Sequence, residues 1–186
     1  MKIIVGLGNN KIGYSNTRHN IGFRVIDLVR KKYPPANILK TKYYRGWEIE
    51  IAGSPVVLIK PKTFMNESGI AVKNAFERFN GEIKDYIVIH DELDIPLGKI
   101  KIITGKGPGG HKGVLSVVNE LGSKDFIRIR IGIGRENLNI PYVNFVLSPF
   151  LSEERPLVEQ SLEKAIGAIE EIIKSGIEKA MCLYNA

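Results

Sequence analysis

"VGLGNNKIGYSNTRHNIGF", residues 5–23, decides how this chain is read. A short apolar run, Ile3-Ile4-Val5, stops at Gly6, and a helical pattern opens beyond Asn20. Strand, glycine loop and helix in that order are also the layout of a dinucleotide-binding turn. That turn needs a third glycine three residues after the second. Counted from Gly6 and Gly8, the position holds Lys11, so the fingerprint fails and the loop must serve another purpose.

Working outward, Lys2–Gly6 reads as a buried strand, β-branched and stopped by glycine. From Asn20, the residues Ile21, Phe23, Val25, Ile26, Leu28 and Val29 form a helical stripe, with Pro34-Pro35 as a stop. Gly46–Ala52 and Pro55–Lys60 read as two strands joined at Gly53-Ser54. A second amphipathic helix is expected from Asn66 to Phe79, carrying Ile70, Val72, Ala75, Phe76 and Phe79 and closed by Asn80-Gly81. Tyr86–His90 and Lys99–Thr104 read as strands, and a glycine-rich loop, Gly105 to Gly110, precedes a short helix to Leu121. Phe126–Ile133 alternates isoleucines with Arg128 and Arg130. Ser152 is placed to cap a last helix that ends at Gly176. Strands interleaved with helices predict a three-layer α/β domain, with a mostly parallel mixed sheet and helices on both faces. One domain is expected over residues 1–186, with the helix of 152–176 packed on it.

The 186 residues suffice to bury a sizeable core, and 44% hydrophobic with 25% charged residues is ordinary for a soluble protein. No apolar stretch is long enough for a membrane span, and Ile3-Ile4-Val5 is too short for a signal-peptide core. The single cysteine, Cys182, excludes an internal disulfide and makes a thiolate metal cluster implausible, so the cytoplasm is the expected compartment. The formal charge is +7, yet residues 151–186 hold four Lys/Arg against seven Asp/Glu. The positive excess lies in the first 150 residues, which fits a polyanionic partner such as nucleic acid.

Only three histidines are present. His19, at a helix start, suits a surface or capping role as well as a general base. A base needs an orienting carboxylate, and "HDELD" (90–94) offers Asp91, Glu92 and Asp94 beyond a strand. His90, ending a buried strand, is explained by packing. There is no Gly-x-Ser-x-Gly elbow and no His-Glu-x-x-His, so neither a protein nucleophile nor a metal is expected. What remains is water activated by a His–Asp pair, with amides such as Asn9 and Asn66 as donors, a combination suited to ester hydrolysis. "GKGPGGHKG" (105–113) fails the phosphate-loop register and lacks its hydroxyl, although its glycines permit close approach to a phosphodiester.

Set together, these pieces resemble the bacterial-type peptidyl-tRNA hydrolase family. The resemblance rests on "GLGN" (6–9), "YSNTRHNIG" (14–22), "KTFMNESG" (62–69), "HDELDIPLG" (90–98), "GPGGHKG" (107–113) and "FIRIRIGIGR" (126–135), in the family's order over about residues 2–150. It implies a monomeric, cytoplasmic α/β hydrolase with no cofactor and no obligate protein partner, which cleaves the ester between a peptide and its tRNA. By motif match, His19 is the general base and Asp91 holds its tautomer. Asn9, Tyr14, Phe64, Met65, Asn66, His111 and Lys112 fall at substrate-binding positions, and Arg130 matches an arginine that clamps the tRNA 5′ phosphate. On this reading the glycines turn the chain tightly after the first strand and deliver Asn9 opposite His19.

Three departures stand out. Asn10-Lys11 replace the family's Pro-Gly, and Ile103 stands where the clamp's lysine is expected, with Lys101 or Lys106 as substitutes. Lys112 replaces a substrate-binding asparagine. The competing readings are a non-catalytic RNA-binding relative, which the survival of His19, Asp91, Asn9 and Asn66 disfavours, and a nucleotide-dependent enzyme, whose loop templates both fail.

Overall fold

The computed structural model describes residues 1–134 and 139–185. Seven strands form one sheet: β1 (Lys2–Gly6), β2 (Asn37–Lys40), β3 (Tyr44–Ile51), β4 (Ser54–Pro61), β5 (Tyr86–Glu92), β6 (Ile100–Ile103) and β7 (Ile127–Gly132). Their order is β2-β3-β4-β1-β5-β7-β6. The central strands β4, β1, β5 and β7 pair in parallel, while β2–β3, β3–β4 and β6–β7 are antiparallel. The mostly parallel mixed sheet read from the sequence is therefore the observed one.

Helices cover both faces. On one face α1 (Ile21–Lys32) and α5 (Arg155–Ser175) pack Ile21, Val25, Ile169 and Ile172 against Ile4, Ile87, Ile89 and Ile129. On the other, α2 (Ser68–Phe79) and α3 (Lys112–Leu121) pack Val72, Ala75, Val114 and Val117 against Ile3, Val5, Tyr86 and Val88. Successive strand residues point to opposite faces, so each central strand feeds both cores. A short helix, α4 (Tyr142–Val146), stands apart, and α6 (Ile177–Tyr184) follows α5.

Several boundaries differ from the sequence reading. The β3–β4 turn is Ala52-Gly53 rather than Gly53-Ser54, with φ of 50° and 77°. Two successive left-handed residues make the tight turn that matches the twist of a hairpin. Leu28 and Ile70 are exposed, because the buried arcs of α1 and α2 are narrower than the apolar stripes. Ser152 does not cap α5. It opens a 3-10 turn, Ser152–Glu154, in which the Glu154 carboxylate accepts from the Leu151 N–H.

Gly176, with φ of 94°, ends α5, but the chain then turns into α6. The Tyr184 ring lies on Gly167, where a Cβ would come within 2.4 Å of its hydroxyl. The Asn185 amide then accepts from the Ile102 N–H (2.6 Å) and donates to the Ile102 carbonyl (2.9 Å). A side chain thus pairs with the edge strand β6 as a neighbouring strand would.

The opening glycines work differently from the expectation. Neither Gly6 nor Gly8 has positive φ, so no tight turn requires them. A Cβ on Gly6 would meet the Gly22 carbonyl oxygen at 2.3 Å, and one on Gly8 would meet the Phe23 ring at 2.7 Å. Close approach of the loop to the first turn of α1 is what excludes a side chain.

Candidate active site

The parallel pairing of β1 with both β4 and β5 brings three chain-distant segments to the carboxyl ends of adjacent strands, where open α/β sheets place their sites. A cavity of about 580 Å³ opens there. Its lining includes Asn9, His19, Phe64, Met65, Asn66, Asp91, His111 and Lys112. Tyr14, expected at the site, is half-buried in the 3-10 turn Ile12–Tyr14 and is outside that lining. Arg130, Lys101 and Lys106 are likewise outside it.

Asp91 lies within β5, which runs on to Glu92, and not beyond the strand as the sequence suggested. Its carboxylate is buried and accepts from two imidazoles. His19 Nδ1 lies 2.8 and 2.9 Å from its two oxygens, and His111 Nε2 lies 2.9 Å from Oδ1. Burial by itself would raise the carboxyl, but the His111 and His19 groups hold it well below the usual carboxylate range. Asp91 is therefore ionised wherever the protein is folded and near neutral pH.

The tautomer of His111 follows from its backbone partners. Its Nδ1 accepts from the N–H groups of Gly113 (3.1 Å) and Val114 (3.2 Å), which caps α3. A nitrogen that accepts carries no proton, so Nε2 bears it and donates to Asp91. For His19 the opposite tautomer results: Nδ1–H donates to Asp91, and bare Nε2 is the nitrogen left for the cavity.

His90 is fully buried, and its Nδ1 donates to the Asp91 carbonyl at 2.7 Å. Burial, followed by the nearby His111, pushes its imidazole well below the ordinary value, so it is neutral. This agrees with the packing role read from the sequence.

Asn9 is oriented by a partner that sequence reasoning missed. Its backbone N–H donates to Asn20 Oδ1 (2.7 Å), and Asn20 Nδ2 donates back to the Asn9 carbonyl (3.0 Å). Its own Oδ1 accepts from the Met65 N–H at 2.9 Å. With Oδ1 engaged, the Nδ2 group is the part of the amide that can donate into the cavity. Also missed was the apolar wall of Tyr142, Val143, Val146 and Leu147, which no motif marks.

His19, Asp91 and His111 offer ligand atoms within 4.8 Å of one another, a two-histidine, one-carboxylate set that some metals use. Here both nitrogens that face Asp91 are at hydrogen-bond distance from it, and His111 Nδ1 is taken by the helix cap. The three residues satisfy one another, and a cation would have to displace both shared protons.

Away from the cavity, Arg130 bonds Glu92 Oε2 through Nε (2.9 Å) and Nη2 (2.7 Å). Lys101 sits directly across from it on β6. Arg128 is buried, and its Nη2 donates to the carbonyls of Lys106 (2.9 Å) and Gly107 (2.8 Å), tying down the glycine-rich loop. Arg135, the last residue of the arginine-rich motif, lies outside the described residues.

The chain is similar to known proteins over nearly its whole length. Residues 3–186 match the family described as peptidyl-tRNA hydrolase. A peptidyl-tRNA hydrolase of Thermodesulfovibrio yellowstonii is 45% identical, with 100% of this chain and 99% of the relative covered. One of Thermotoga maritima is 40% identical, covering 99% and 97%. A crystal structure of the peptidyl-tRNA hydrolase of Acinetobacter baumannii superposes with a TM-score of 0.90 at 31% identity, covering 97% of this chain and 92% of that one.

Proposed function

This chain belongs to the peptidyl-tRNA hydrolase family and hydrolyses peptidyl-tRNA, and we propose that it does so with a water activated by His19 against Asp91. The observation that carries the mechanism is the His19 Nδ1–Asp91 bond of 2.8 Å, which leaves Nε2 bare beside the cavity. Water oxygen attacks the ester carbonyl carbon while Nε2 takes the water's proton. Negative charge on Asp91 stabilises the imidazolium that results. The carbonyl oxygen becomes an oxyanion, met by donors such as Asn9 Nδ2 and the Asn66 amide. The C–O bond to the terminal ribose then breaks, and the imidazolium returns its proton to the departing ribose oxygen. Free peptide and tRNA are released, and no group beyond side chains and water is consumed.

Phe64 and Met65 bound the substrate on one side of the cavity, and His111 acts through Asp91 and the α3 cap. Arg130, with Lys101 beside it, is the proposed contact for the tRNA 5′ phosphate. Directly opposed residues of antiparallel strands share a face, which supports Lys101 over Lys106 as the arginine's partner. The Glu92 bond occupies one edge of the guanidinium and leaves Nη1 for a phosphate oxygen. Arg130→Ala is expected to reduce the log–log salt slope of tRNA binding by about one unit. Lys101→Ala should give a similar loss. A salt slope unchanged in both variants removes the clamp.

Lys112 opens α3 beside His111, is exposed and lines the cavity. An asparagine donates and accepts, whereas an ammonium only donates. An asparagine there could also accept a bond from the attacking water, which an ammonium cannot. Lys112→Asn is therefore expected to retain activity, with kcat raised. If kcat does not change, Lys112 lies outside the reacting region.

We place the enzyme in the cytoplasm and read it as a monomer, where peptidyl-tRNA is met. No helix among the described residues is long and apolar enough to cross a membrane. Hydrolysis of purified peptidyl-tRNA by the wild-type protein, with His19→Ala as control, tests the whole reading.

A further inference from the structure

The residue before the catalytic histidine carries a set of contacts that the mechanism does not use. Arg18 is 3% exposed, an unusual place for a guanidinium. Nη1 and Nη2 form a bidentate pair with the Glu154 carboxylate at 2.9 and 2.7 Å, and Nε reaches Ser148 Oγ at 3.3 Å. The guanidinium carbon lies 4.3 Å from the Phe145 ring centroid and 4.8 Å from that of Phe150. Its backbone N–H donates to the Ser148 carbonyl at 3.0 Å, and Thr17 bridges to Pro149.

These contacts lead to Phe145 of α4, the helix that forms the cavity's apolar wall, and to the chain that follows it as far as Glu154. That wall belongs to neither of the two cores on the sheet. Phe145 and Val146 form a separate small cluster with Ile133, against which Leu93, Leu147 and Phe150 pack. The cluster touches the main core through Phe150, and Arg18 adds the ion pair and ring contacts that tie it to the catalytic end of β5. Arg18 shares the 3-10 turn Arg18–Asn20 with His19. One buried side chain joins the base to the wall.

We propose that Arg18 is a positioning residue that holds the α4 wall against His19 and so sets how strongly the enzyme favours substrates with bulky apolar peptides. The proposal rests on the peptidyl-tRNA hydrolase reading above. The wall is the apolar side of the cavity, with Tyr142 and Val143 partly open to solvent, and the phosphates of the RNA gain nothing from it. A leucine-rich acyl portion has aliphatic surface to bury there, and comparing acyl groups on one tRNA keeps any base stacking constant. A planar guanidinium can pair bidentately and touch two aromatic rings at once, which a lysine ammonium cannot.

Arg18→Lys separates this from a merely structural role when two substrates on the same tRNA are compared. One carries N-acetylglycine, and the other an N-acetylated tripeptide of two leucines and a C-terminal glycine, so the ester and the RNA are identical. We expect KM for the tripeptide substrate to rise about tenfold, with kcat within about twofold and the N-acetylglycyl substrate little changed. Glu154→Gln, which weakens the same clamp without altering the turn that carries His19, should shift KM in the same direction by less. It decides the question if Arg18→Lys does not fold. Equal changes for both substrates, a fall in kcat alone, or no change in either variant overturns the proposal. Wild-type protein that hydrolyses neither substrate overturns the hydrolase reading and this inference with it.

Discussion

His19→Ala is expected to lower turnover by a factor of at least about 10², the usual scale for losing a general base. Among the described residues the imidazole makes its polar contact with Asp91, and Asp91 keeps its bond from His111, so the variant should remain folded. Substrate binding rests on other residues, so kcat falls while KM changes little. Single-turnover hydrolysis of peptidyl-tRNA, with thermal unfolding as a control, measures both. Added imidazole should restore part of the rate by occupying the vacated space. Turnover near the wild-type level would remove His19 as the base.

Asp91→Asn is expected to be nearly as damaging, about a hundredfold or more in kcat, at almost unchanged side-chain volume. The wild-type carboxylate accepts at both oxygens, with His19 Nδ1 at 2.8 Å from Oδ1 and 2.9 Å from Oδ2, and His111 Nε2 at Oδ1. An asparagine has one acceptor oxygen, and His111 must keep donating to it because its Nδ1 is fixed by the α3 cap. The asparagine NH2 then faces His19 Nδ1 and favours the tautomer in which Nδ1 accepts. That moves the His19 proton to Nε2 and removes the base. Loss of the negative charge also leaves the imidazolium unsupported.

The wild-type pH profile supplies a check on the same pair. The folded-state pKa of Asp91 is lowered, so its stabilising contribution is present above the unfolded value of about 4 and is lost only as pH falls through the depressed one. Activity lost on mild acidification therefore does not report protonation of Asp91. Asp91→Asn with a normal rate and a normal acid limb would show that the carboxylate is dispensable.

Much of this was legible along the chain. The spacing of apolar residues marked most of the strands and four of the helices, because period 2 and period 3.6 report which face is buried. Residue chemistry pointed to a His–Asp pair, since three histidines and no competing nucleophile left few options, and the family resemblance then selected His19 and Asp91. The charge imbalance between the first 150 residues and the remainder pointed to a polyanion. The strand β2 and the helices α4 and α6 escaped notice, because segments of four, five and eight residues are short for a period to show.

What the tertiary structure decided are relations between groups far apart in sequence. Local periodicity carries no record of which strands become neighbours, and the site exists because β1 pairs with both β4 and β5. That pairing sets Asn9 against Met65, 56 positions away, and His19 against Asp91, 72 positions away. The tautomer of His111 depends on its own helix cap, and the glycines of the opening loop are required by the approach of α1. Arg18 looks in sequence like one more basic residue of a basic protein. Only the burial of its guanidinium between two rings and a carboxylate contributed from beyond residue 140 distinguishes it, because its partners meet only once the chain has folded.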